Sequence, residues 1–143
     1  MKDNGIVIVD AENISKELFI NAIGWMKYKK YYKAGNMYIF GNMNNIPLKF
    51  YRKYTSSHFV DTLAGKNVAD TCMSCFIMQV LYERDDISTI FILSQDRDMS
   101  YAIKMASEFG KCVVSITEKN HKLSNLNSVG ADMLFVEQWQ FET

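Results

Sequence analysis

The 143-residue chain has one proline, Pro47, and three cysteines, Cys72, Cys75 and Cys112. An odd count with no second pair at metal spacing gives no disulfide framework and no zinc ribbon, and His58 and His121 stand alone. The cysteines are expected to be buried structural thiols, and the nine methionines to be adaptable core filling. No apolar run approaches the roughly 20 residues of a membrane-spanning helix, and Met1-Lys2-Asp3-Asn4 leads into a strand without a signal-peptide pattern. A cytoplasmic protein of one domain, 1–143, is the expectation. The first strand-like run lacks a glycine-rich turn after it, which argues against a dinucleotide fingerprint.

The most informative absence is of acid. From Leu18 to Val60 there are seven Lys or Arg and no Asp or Glu, so a formal net charge of +0 conceals a strongly basic third and an acidic remainder. Trp25, Tyr28, Tyr31, Tyr32, Tyr38, Tyr51 and Tyr54 are interleaved there with Lys27, Lys29, Lys30, Lys33, Lys49, Arg52 and Lys53. Planar rings among cations suit single-stranded nucleic acid, where bases stack on rings and phosphates meet the charges. The alternative is a solvated helix end with half of the tyrosines in the core.

Hydrophobic patterning alternates strand and helix. Gly5–Val9, Asn36–Phe40, His58–Leu63, Thr89–Leu93, Lys111–Thr117 and Met133–Val136 read as strands. Helical spacing runs from about Ser15 to Met26, over 67–83, from Met99 to Phe109 with a Gly110 stop, and from Leu123 to Ala131. The stretch Leu48–Thr55 is open between helix and loop, and the 67–83 helix is apolar enough to be buried on more than one side. Such alternation predicts a three-layer α/β/α sandwich with a mainly parallel, Rossmann-like sheet. Ligands of such sheets bind beyond the carboxyl ends of the strands, where strand order reverses.

Acids collect at those ends. Asp10-Ala-Glu12-Asn13 follows the first strand, Lys66-Asn67-Val68-Ala69-Asp70 opens a helix, and Ser94-Gln95-Asp96-Arg97-Asp98 follows the Thr89–Leu93 strand. Carboxylates gathered at one mouth repel unless a hard cation neutralises them, and Mg²⁺ and Mn²⁺ take all-oxygen ligands. Each acid also has a structural explanation as a helix cap, a first-turn acid or a turn former, and Asn13 as the cap of the first helix.

In that order and on those elements, the three motifs resemble the D-x-x-N, K-x-V-D and S-G-D-x-D-F signatures of the NYN family of PIN-like ribonucleases. Gln95 and Met99 stand where the family has Gly and Phe, and one extra residue separates Lys66 from Asp70. The resemblance implies a metal-dependent ribonuclease acting on single-stranded or structured RNA. Asp10, Asp70, Asp96 and Asp98 would hold Mg²⁺ or Mn²⁺, and Asn13 would fix an attacking water or a carboxylate. Ser94 and Lys66 would contact substrate, joined by Lys29, Lys30, Lys33, Arg52 and Lys53 of the basic stretch. Since PIN-like domains often pair, a homodimer is a further expectation. The competing expectation is a catalytically degenerate domain that binds RNA or protein. A phosphatase with an aspartyl nucleophile is disfavoured, because Glu12 stands where that class needs Asp and no Thr follows.

Overall fold

Every residue of Gly5–Asp10 (β1) is buried, as a β-branched run must be when helices cover both faces of a parallel sheet. The structure, a computed structural model, describes residues 4–29, 31–44, 46–53, 57–62, 68–94, 100–117 and 132–135. After β1 come Lys16–Lys29 (α1), Tyr32–Gly41 (β2), Leu48–Tyr51 (α2), Ser57–Asp61 (β3) and Val68–Glu83 (α3). Thr89–Leu93 (β4), Ser100–Glu108 (α4), Cys112–Thr117 (β5) and Asp132–Phe135 (β6) complete the described elements. The expected α/β sandwich forms around one six-stranded sheet of order β3-β2-β1-β4-β5-β6, in which every pairing is parallel.

Strand alternation divides the core in two. Ile6, Ile8, Phe40, Ile90, Ile92 and Val113 face α3 and α4, where they meet Met73, Ile77, Val80, Ile103 and Ala106. Val7, Val9, Met37, Ile39, Leu93 and Ile116 face the opposite way, towards Leu18, Phe19, Ala22, Ile23 and Met26 of α1 and Tyr51 of α2. Each fully buried aliphatic or aromatic side chain contributes about 1.5–3 kcal/mol relative to exposure. The two clusters therefore hold the sheet from both sides.

Helix direction fixes which residues share an end of the sheet. Ser15 Oγ accepts from Leu18 N at 3.0 Å and caps α1, the task expected of Asn13. At the far end of α1, Gly5 N donates to Tyr31 O at 2.9 Å, so this helix runs from the carboxyl edge of β1 back to its amino edge. The end of α3 lies at that amino edge too, because Arg84 Nη2 donates to Asn36 Oδ1 at 3.4 Å. With a rise of about 1.5 Å per residue, α3 then carries its first turn back to the carboxyl edge. Gly110, at φ 80°, is the left-handed stop after α4.

Several expectations change. The second strand begins at Tyr32 rather than Asn36, because Gly35 takes φ 91° and a register shift between Gly5 and Val7 absorbs the irregularity within the pairing. The Leu48–Tyr51 segment is helical. On α3, Met73, Ile77, Val80 and Leu81 are buried but Cys75, Gln79, Tyr82 and Glu83 face solvent, so one strip of this helix is wet. Cys72 and Cys112 are half-buried and Cys75 is exposed, which corrects the reading of all three as buried thiols. The segment Leu123–Ala131 lies outside the described residues. Among those residues no helix is long and apolar enough to cross a membrane.

Candidate functional site

Strand order reverses between β1 and β4, and the two carboxyl ends meet there through side chains. Asp10 closes β1 with no exposed surface, and Ser94, just past β4, is 1% exposed. Ser94 Oγ donates to Asp10 Oδ2 at 2.8 Å across 84 residues of sequence. Asn13 Nδ2 donates to the same oxygen at 2.9 Å, and Asn13 N donates to Asp10 O at 3.2 Å, closing a tight turn. Two donors on one oxygen fix the plane of the carboxylate. Of the two tasks expected of Asn13, orienting a carboxylate is the one its amide performs. Ser94 is buried, and its hydroxyl orients Asp10.

Tyr51 is a part of this mouth that reading the sequence left among the basic stretch. Burial, and then the negative charge of Asp10, push its hydroxyl up to about 12. A neutral phenol thus lies within electrostatic reach of the carboxylate, held by edge-on contacts with Phe19 at 4.9 Å and Phe50 at 5.0 Å. The signal available in the sequence was position: in a parallel sheet the segment after β2 emerges beside the end of β1.

Neighbouring strand exits are laced to this mouth. Glu12 Oε1 accepts from Asn42 N at 3.1 Å, which turns Glu12 to the β2 exit. A Cβ at Gly41 would meet Ile46 Cγ2 at 2.8 Å and Glu12 Cγ at 3.4 Å, so a larger residue at that exit would have to displace the Ile46 side chain. Thr62 N donates to Gly41 O at 3.1 Å, and Asp61 Oδ1 accepts from Met43 N at 3.4 Å, which ties in β3.

The remaining expected site residues divide by place. Asp70 lies in the first turn of α3, at the carboxyl edge, placed by its backbone alone. Lys66, Asp96 and Asp98 lie outside the described residues, as does Lys30. Lys29 ends α1 and Lys33 follows the start of β2, at the level where Gly5 pairs with Tyr32. That level is the amino edge, about 16 Å along β1 from Asp10. Helix direction thus places the backbone of Lys29 and Lys33 at the end of the sheet away from Asp10. Arg52 and Lys53 are exposed directly after α2, beside the mouth, and Lys16 sits with its ammonium 5.4 Å from the Phe50 ring centre.

The rings of the basic stretch divide. Trp25 and Tyr51 are buried, Trp25 meets Tyr31 edge-on at 5.1 Å, and Tyr31 stacks on Phe91 at 5.6 Å. Trp25, Tyr31 and Tyr51 pack with the core, whereas Tyr38 stands half-buried at the β2–β3 edge.

The oriented, buried carboxylate of Asp10 offers oxygen, which suits a hard divalent cation better than a soft one. Among the described residues no three His, Cys, Asp or Glu side chains converge, so Asp10 fits one ligand position and the rest would come from the other acidic motifs.

Fold and mouth together define an α/β protein with a carboxylate site at the topological switch point. The NYN domain model matches residues 6–137, nearly the whole length. The chain belongs to the NYN domain family, a PIN-like nuclease family whose members are generally nucleases. A comparison with curated proteins gives no match. Among solved structures it is similar to a Vibrio parahaemolyticus protein of unknown function, with a TM-score of 0.67, 11% identity and coverage of 93% of each chain. At that identity the likeness concerns the fold.

Proposed function

We propose that the protein is a metal-dependent ribonuclease that hydrolyses phosphodiester bonds of single-stranded or structured RNA at the Asp10 mouth. The observation that carries this reading is the Ser94 to Asp10 hydrogen bond, which pins a wholly buried carboxylate at the strand-order reversal. A wholly buried, oriented carboxylate at a strand-order reversal is the kind of group that functional sites are built around.

Asp10, with Asp70, Asp96 and Asp98 of the matching motifs, would hold Mg²⁺ or Mn²⁺. Such an ion, when bound, polarises the scissile phosphate, lowers the pKa of a water and stabilises the leaving oxygen. The chain's own groups do the rest. Asn13 and Ser94 hold Oδ2 fixed, so Asp10 cannot rotate as charge shifts on the phosphate. Tyr51 stays a neutral phenol through the physiological range and adds no negative charge beside Asp10. Arg52 and Lys53, exposed beside the mouth, draw the phosphodiester backbone in.

End-labelled single-stranded and hairpin RNAs incubated with Mn²⁺, Mg²⁺ or EDTA test this directly. Metal-dependent cleavage by the wild type, reduced about 100-fold or more in Asp10→Asn, is the expected result. RNA left intact in every lane while still bound would replace the ribonuclease with a degenerate RNA-binding domain.

A further inference from the structure

Away from the mouth, but on the same face of the sheet as Asp10, rings form a column at the β2–β3 edge. Tyr38 and His58 are partners on parallel strands, and their rings stack with centroids 4.7 Å apart and planes 20° apart. Tyr38 also meets Phe76 of α3 at 4.5 Å and 43°. Tyr38 and Phe76 are half-buried whereas His58 is exposed, so the stack ends in an imidazole open to solvent.

A cleft of about 180 Å³ opens beside this column, lined by Tyr38, Phe76, Gln79, Val80, Glu83 and Arg84. Its floor is aromatic and aliphatic; its rim is an amide, a carboxylate and a guanidinium. The rim is prearranged, since Gln79 Nε2 donates to Glu83 Oε2 at 3.0 Å, while Arg84 donates to Asp86 at 2.9 Å and to Asn36 at 3.4 Å. Sealing the core would account for stacked rings. It does not account for an open cleft alongside them, nor for a stack that terminates in water.

We propose that the His58–Tyr38–Phe76 column and its cleft bind an unpaired nucleobase of single-stranded RNA, a proposal whose choice of ligand rests on the ribonuclease reading. At about 180 Å³ the cleft is smaller than the roughly 300–1,000 Å³ that enclose drug-sized ligands, so it takes one planar ring system and leaves sugar and phosphate outside. Rings and guanidinium planes stack on any base, and the amide and carboxylate meet its hydrogen-bonding edge. Tyr38 is two residues before Phe40, the β2 partner of Asp10, and His58 is one strand further out. The column thus lies about 7 Å down the strands and about 10 Å across them from the mouth, within reach of a few nucleotides of one strand.

The test is an amide NMR titration of the full chain in EDTA, with adenosine and uridine monophosphates as probes and ribose 5-phosphate as the baseless control. The expected result is shifts at Gln79, Glu83 and Arg84 with the nucleotides and none with ribose 5-phosphate. His58→Ala and Gln79→Trp, both at exposed positions, should each weaken binding of a single-stranded oligoribonucleotide roughly fivefold or more, with the melting temperature retained. Shifts equal with ribose 5-phosphate, shifts confined to the mouth, or wild-type oligonucleotide affinity in both variants would overturn the proposal. Because EDTA prevents metal-dependent cleavage, the base site is judged separately: nucleotide shifts in a protein that never cuts RNA would keep this site and remove the ribonuclease.

Discussion

The two ends of the sheet handle charge in opposite ways. At the carboxyl edge Asp10 is sunk out of solvent and held by side chains from its own turn and from a strand 84 residues away. At the amino edge the charged groups act on the backbone or on one another near water. Lys111 Nζ donates to Arg84 O and Ile87 O, closing the α3–β4 turn, and Arg84 pairs with a well-exposed Asp86 at 2.9 Å. A charge kept at the surface is inexpensive to hold. A charge withdrawn from water needs either tight compensation or a function, and the mouth is where that demand falls.

The comparison breaks most sharply at Ser94. In the ribonuclease reading, Ser94→Ala frees one side of Asp10 and is expected to reduce metal-dependent cleavage about 10- to 100-fold, as loss of an orienting partner does. Cleavage rates at saturating Mn²⁺ check it, and unchanged turnover would mean that Asp10 needs no such support. Next is Lys111→Met, which should cost about 1–3 kcal/mol in urea unfolding by leaving two backbone carbonyls without their ammonium donor, and should leave cleavage alone. A loss of activity larger than the loss of folded protein would contradict the division between the ends.

Smaller effects come from pH, with opposite signs at the two ends. The folded-state pKa of Tyr51 is raised from 10.0 to about 12, so its contribution is complete below pH 10 and lost as pH climbs through 12. In EDTA, wild type should therefore lose stability relative to Tyr51→Phe across that window, read as a falling difference in melting temperature. For Asp86 the Arg84 guanidinium pulls the carboxyl down to about 2, so whatever it contributes is present above its unfolded value near 3.8 and lost as pH falls through 2. Asp86→Asn is expected to change the melting temperature at pH 7 only marginally, since exposed ion pairs add little. A large change would show that the amino edge carries more than surface charge.

Much of this was legible beforehand where one local rule dominated. Thr89–Leu93 has the expected bounds because a short, continuous β-branched run bounded by polar residues has few other uses. Asp10 was legible as the residue that ends such a run. The start of β2 was not, because Gly35 reads as a breaker until pairing with β1 absorbs it. Ser94 as a partner of Asp10, and Tyr51 as its neighbour, depend on which strands lie side by side, and no local pattern carries that. Lys29 and Lys33 illustrate the same point from the other side: their charge was visible, but the direction of α1, which takes them away from the mouth, belongs to the fold.

The seam between β1 and β4 also sets a time for the site during synthesis. Asp10, Asn13 and the β2–β3 exits belong to the first sixty or so residues, yet the hydroxyl that completes the hold on Asp10 comes from residue 94. Helices can form early, whereas parallel pairing is slow and the central β1–β4 pairing must wait for the second half of the chain. A nascent polypeptide halted between those points carries its acid without its clasp. In the ribonuclease reading, full cutting activity would therefore come only after β4 has paired with β1.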